Sequence, residues 1–80
     1  MRLDKYLKVS RLIKRRTVVN DACDAARITV TGKPAKASYQ VKLGDVIEIA
    51  FGQRTMRVEV LNIAEHALKA DAAAMYKELP

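Results

Sequence analysis

Eighty residues, half of them hydrophobic and 30% charged, fit one small folded domain rather than a disordered tail, although a chain this short buries only roughly 60% of its unfolded surface. One cysteine, Cys23, and one histidine, His66, exclude an internal disulfide framework and fall short of a zinc site. The net charge of +6 sits entirely in residues 1–16, where Arg2, Lys5, Lys8, Arg11, Lys14, Arg15 and Arg16 oppose Asp4 alone, while residues 17–80 balance to zero.

A helical period test divides this basic end in two. At 100° per residue, Leu3, Tyr6, Leu7 and Ser10 gather on one side and Asp4, Lys5, Lys8 and Arg11 project from the other, but Leu12 then falls among the charges. A helix over about residues 3–10 is therefore expected, followed by a tight connection that turns Leu12 and Ile13 onto the core. A second helix is expected over about 14–25, with Val18, Val19, Ala22, Cys23 and Ala26 as its apolar stripe. Its charges oppose its dipole. Lys14, Arg15 and Arg16 crowd the N-terminus, and Asp21 and Asp24 lie towards the C-terminus, each placement costing about a few tenths of a kcal/mol. A helix start already offers partial positive charge and free N–H groups, so the added cations make it a strong anion site. Asp4, a misfit on such a surface, is available to cap the first helix or to orient Arg2 or Lys8.

From residue 28 the period becomes two. Ile28 and Val30 alternate with Thr29 and Thr31 before a turn at Gly32-Lys33-Pro34. A loop with Lys36, Ser38 and Tyr39 leads to Val41, and Leu43-Gly44-Asp45 turns into a strand of Val46, Ile47, Ile49 and Phe51. Gly52-Gln53 ends that strand, and Met56, Val58 and Val60 alternate with Arg57 and Glu59 in the next. Two helices followed by a small, twisted, mostly antiparallel sheet make an α+β domain. The domain is assigned to residues 1–62, with 63–80 a partly helical extension in which Asp71 can cap a closing helix. Met75, Tyr76 and Leu79 read there as a helix patch, packed on the sheet or docking a partner. Tyr6 and Tyr39 have rings able to stack on bases, but Tyr6 borders the apolar face and reads first as core. Cys23 reads as a buried small hydrophobe and His66 as a surface residue.

Catalysis needs an acid–base pair, an activated nucleophile or a metal constellation in a cleft, and these residues offer none, so neither an enzyme nor a cofactor is expected. No apolar run approaches the ~20 residues that span a bilayer, and a secretory leader would need an uninterrupted apolar stretch where charges here recur every three residues or so. An anionic lipid surface would need bulky anchors opposite the cations, and Leu3, Tyr6 and Leu7 are claimed by the core. A polyanion is the partner that the charge segregation favours, with RNA preferred over duplex DNA only if the surface reads shape as well as phosphate.

Several short patterns carry a resemblance. Arg2-Leu3-Asp4 with Leu7, then Arg16, Ile28-x-Val30-x-Gly32 and Val41-x-x-Gly44-Asp45 resemble the RNA-binding domain of the ribosomal protein S-four type, over about residues 2–50. RLDKYLKVSRLIKRRT, AKAS and the small size are similar to its stand-alone bacterial members, the ribosome-associated quality-control factors and the related small heat-shock protein. The resemblance implies two helices on a small twisted sheet, the alpha-L motif, with RNA across the helices and the loop after the first strand. It also implies a cytoplasmic, ribosome-associated monomer that binds stalled large subunits carrying peptidyl-tRNA. There it would contact ribosomal RNA and tRNA beside another quality-control protein; a general nucleic-acid-binding or ribosome-assembly role is the alternative. Carried onto this chain, the RNA-facing positions are Arg2, Lys5, Lys8, Arg11, Lys14, Arg15, Arg16 and Lys36, with Arg2 and Arg16 setting register. Two departures concern backbone geometry. Ala26 stands where the family often has glycine, which is expected to leave the second helix without its left-handed cap, and Thr31 stands where it often has asparagine.

Overall fold

In a computed structural model describing residues 1–64 and 69–80, the period-two stretches pair into one antiparallel sheet that carries the helices on one face. The elements are α1 (Leu3–Val9), α2 (Arg16–Asp24), β1 (Ile28–Val30), β2 (Lys33–Pro34), β3 (Val46–Phe51), β4 (Arg54–Val60), α3 (Lys69–Ala72) and β5 (Tyr76–Leu79), with strand order β2-β1-β3-β4-β5. Register decides which side chains meet the helices. Ile28 pairs with Ile49 and Ile49 with Met56, while Val30 pairs with Ile47 and Ile47 with Val58. The branched residues therefore line one face, and Ile28, Ile47, Ile49, Val58 and Val60 are buried there together with Leu3, Tyr6, Leu7 and Val19. Each such side chain, fully buried, contributes roughly 1.5–3 kcal/mol. On the opposite face Thr29, Glu48 and Arg57 form a polar row, closed by an Arg57 Nε to Glu48 Oε1 ion pair of 2.9 Å.

The two long helices are anchored very differently. α1 buries four of its seven residues, Leu3, Asp4, Tyr6 and Leu7. α2 buries only Val19; Ala22 and Cys23 are half-buried, and Val18 and Ala26 are exposed, so its apolar stripe is narrower than the spacing predicts. Burial, followed by the charges of Asp24 and Asp4, pushes the Cys23 thiol above its ordinary range.

Alanine does not remove the left-handed cap. Ala26 takes φ 56°, and the helix ends in a complete Schellman pattern: the Arg27 N–H donates to the Ala22 carbonyl at 2.8 Å and the Ala26 N–H to that of Cys23 at 3.0 Å. Ile28, fully buried at the start of β1, requires the chain to reverse here, and that burial outweighs the strain of about 1–2 kcal/mol. A similar reversal joins β1 to β2, where Thr31 (φ 52°) and Gly32 (φ 85°) are the two central residues of a primed hairpin turn.

The C-terminal segment differs most from its sequence reading. Among the described residues of this segment, helix is confined to the short α3, with Asp71 inside it, and Tyr76–Leu79 forms a strand against β4, pairing Val60 with Tyr76 and Arg57 with Leu79. Ala72 and Met75 are buried. The Met75 carbonyl accepts three hydrogen bonds, from the Tyr6 hydroxyl at 2.8 Å and from the Leu61 and Asn62 N–H groups at 2.9 and 3.1 Å. Tyr6 is therefore a core residue with no ring face to offer a base, and burial raises its phenol pKa well above the ordinary value. His66 lies outside the described residues.

Candidate nucleic-acid interface

The N-terminal N–H groups of α1 are used within the fold. The Leu3 N–H donates to the Tyr39 carbonyl at 2.8 Å and the Asp4 N–H to the Ala37 carbonyl at 3.1 Å, which docks the loop carrying Lys36 against the start of the helix. Arg2 forms an isolated bridge with Gln40 in the same segment. Tyr39 is held from the other side, its hydroxyl donating to Asp45 Oδ2 at 2.8 Å; that bond, with some burial, raises its pKa. A shallow open groove runs between Lys33, Lys36, Ser38 and Tyr39.

α2 begins differently. Its N-cap is Arg15, in extended conformation, and no side-chain hydrogen bond caps it. Arg16 is its first residue, and there the two helices meet. Asp4, whose side chain is only 3% exposed, accepts from Arg16 Nη2 at 3.1 Å and from Arg2 Nη2 at 3.2 Å through the same oxygen, Oδ2. Its other oxygen accepts the Lys5 N–H at 2.7 Å. Of the roles open to Asp4 from sequence, orientation of Arg2 is realised; the second partner is Arg16, twelve residues away, rather than Lys8.

The remaining cations lie on α1, on the connection into α2 and on the loop docked against α1. Lys8 is exposed on the solvent side of α1 and Lys5 half-buried. Lys14 and Arg15 are exposed in the connection leading into α2. Lys36 is exposed on the docked loop. Arg11 stands apart. It follows the far end of α1, whose seven residues span about 10 Å, and holds a left-handed backbone with φ 63°. Sequence spacing brings out the cations but not their junction, because a contact between α1 and the start of α2 depends on how the intervening turn closes.

An antiparallel sheet backing two helices, with a basic junction at their N-terminal ends, defines a small S4-type fold. Residues 1–47 match the S4 domain, and the chain belongs to that family. It is 52% identical over 77 residues to the RQC P-site tRNA stabilizing factor of Halalkalibacterium halodurans, covering 96% of this chain and 88% of that protein. It is 50% identical over 76 residues to the factor of the same name from Bacillus subtilis, covering 95% and 88%. The trimeric structure of heat shock protein 15 from Vibrio cholerae superposes with a TM-score of 0.89 at 25% identity, over 99% of this chain and 81% of that one.

Proposed function

We propose that this protein binds RNA on large ribosomal subunits that carry peptidyl-tRNA and helps to hold that tRNA during rescue of stalled synthesis. The observation that carries the reading is a net charge of +6 within sixteen residues, two of whose arginines meet at one helix–helix junction. Relatives of half-identical sequence named for stabilising P-site tRNA support the ribosomal target. Arg2, Lys5, Lys8, Lys14, Arg15, Arg16 and Lys36 supply the phosphate contacts, with Arg11 at the margin. The arginine forks suit phosphate and base edges, and the lysines act as point charges. The role is one of binding, and its site of action is the cytoplasmic ribosome.

Sedimentation of tagged protein from growing cells tests this directly. The expected result is association with large subunits that contain tRNA; recovery in a free pool or with chromosomal DNA would count against it. In vitro, engaging about five phosphates gives a log–log salt slope of about −3.5 to −4.5, and Arg16→Ala weakens binding by about 1–3 kcal/mol. A slope near zero would remove the electrostatic basis of the proposal.

A further inference from the structure

Asp4 is the one acid within the basic end, yet it is almost fully buried and holds two of the arginines by one oxygen atom. Because both guanidinium nitrogens contact that atom, they lie within 6.3 Å of each other, the sum of the two distances. A pair so close would repel without the carboxylate between them. Each guanidinium has five N–H donors, and the two side chains are 51% and 45% exposed, so donors remain directed to solvent. The unit has a net charge of +1, which matches a single phosphodiester. The tie also bears on α2, which has one fully buried residue and no side-chain cap at its N-terminus.

We infer that Asp4 is a positioning residue, a buried carboxylate that couples Arg2 and Arg16 into one phosphodiester-binding fork spanning the two helices. This rests on the RNA-binding reading above and adds a cause for its geometry. Asp4 does not touch the RNA. Its negative charge, which taken alone opposes RNA, improves binding by fixing where the two guanidiniums stand.

The two possibilities predict opposite signs. Asp4→Asn removes one negative charge and takes the net charge from +6 to +7. If Asp4 were only an anion near the surface, Asp4→Asn would bind RNA more tightly. A positioning role predicts binding weaker by about tenfold, the scale of one lost charge-assisted contact. The measurement is equilibrium binding of the full chain to purified large subunits carrying tRNA, across a salt series, with thermal melting to confirm folding. Arg16→Lys covers the case in which Asp4→Asn fails to fold, since it preserves both the charge and Asp4 but loses the fork. It too is expected to weaken binding by about tenfold. In an Arg2→Ala/Arg16→Ala background, which leaves Asp4 neither arginine to position, Asp4→Asn should add little, whereas a purely structural effect would persist in full. Asp4→Asn binding as tightly as the parent, or Arg16→Lys matching the parent, would overturn the inference. Parent protein that shows no salt-dependent binding would instead overturn the functional reading on which it stands.

Discussion

Among the described residues, three non-glycine positions hold left-handed backbone, Arg11, Ala26 and Thr31, and each stands where a helix or strand must reverse direction. Ala26 is the simplest to test. Its side chain is exposed, so substitution disturbs little packing, and glycine relieves the strain at the cost of more freedom in the unfolded chain. Ala26→Gly is expected to stabilise the protein by about 0.5–1 kcal/mol, read as a higher urea midpoint with an unchanged slope. An unchanged or lower midpoint would mean that the cap carries no such strain. The sequence reading took the missing glycine to mean a missing cap, because a propensity describes a residue in isolation. Here the burial of Ile28 two positions later imposes the reversal regardless. Asp4 escaped a firm assignment for a related reason. Its neighbours in sequence pointed to Arg2 and Lys8, and only the closed turn brings Arg16 to it.

Among the elements, α1 and the strands follow the apolar periodicity closely, since their burial is decided by spacings of 3.6 and 2. β5 does not. An alanine-rich run before Tyr-Lys-Glu-Leu favours helix locally, whereas the edge of β4 offers unpaired backbone groups that only an extended segment can satisfy. Tertiary pairing decides the outcome. One link between this segment and α1 is the Tyr6 hydroxyl on the Met75 carbonyl. Tyr6→Phe preserves the ring and leaves that carbonyl two backbone donors, from Leu61 and Asn62. It is therefore expected to cost only about 1 kcal/mol, seen as a lowered urea midpoint. A loss several times larger would show that the hydroxyl organises the whole C-terminal segment.

At the scale of the molecule, alkaline pH probes the core through its two hydrogen-bonded tyrosines. Burial, with a lesser effect of Tyr76, raises the pKa of Tyr6, and the bond to Asp45 raises that of Tyr39. The folded chain therefore retains phenolic protons that the unfolded chain releases near its ordinary pKa of about 10. Above that pH the unfolded state binds fewer protons, so stability falls as pH rises; below it these two groups contribute no slope. Thermal melts at pH 8, 9.5 and 11 should show a flat region and then a decline, and Tyr6→Phe should make the decline shallower. Equal slopes in the two proteins would remove Tyr6 as its source. The overall α+β arrangement was legible from periodicity and turn residues, and the basic end from charge alone. The shape of the candidate interface was not, because it depends on the turn that brings Arg16 to Asp4 and on the loop of residues 36–40 docking across the start of α1.

The hydrogen bond between Tyr6 and Met75 spans 69 positions of sequence, and this has a consequence for how the protein is made. During synthesis at roughly 5–20 residues per second, the tyrosine waits about 3–14 s before the residue carrying its acceptor has been added. Val58 and Val60, which share the same core, also come late in the chain. While it is being made the nascent chain therefore carries its cations on a segment too short to hold a helix by itself, before the packing that seats α1 is available. The fold closes only when a stretch 69 positions further along the sequence returns to α1.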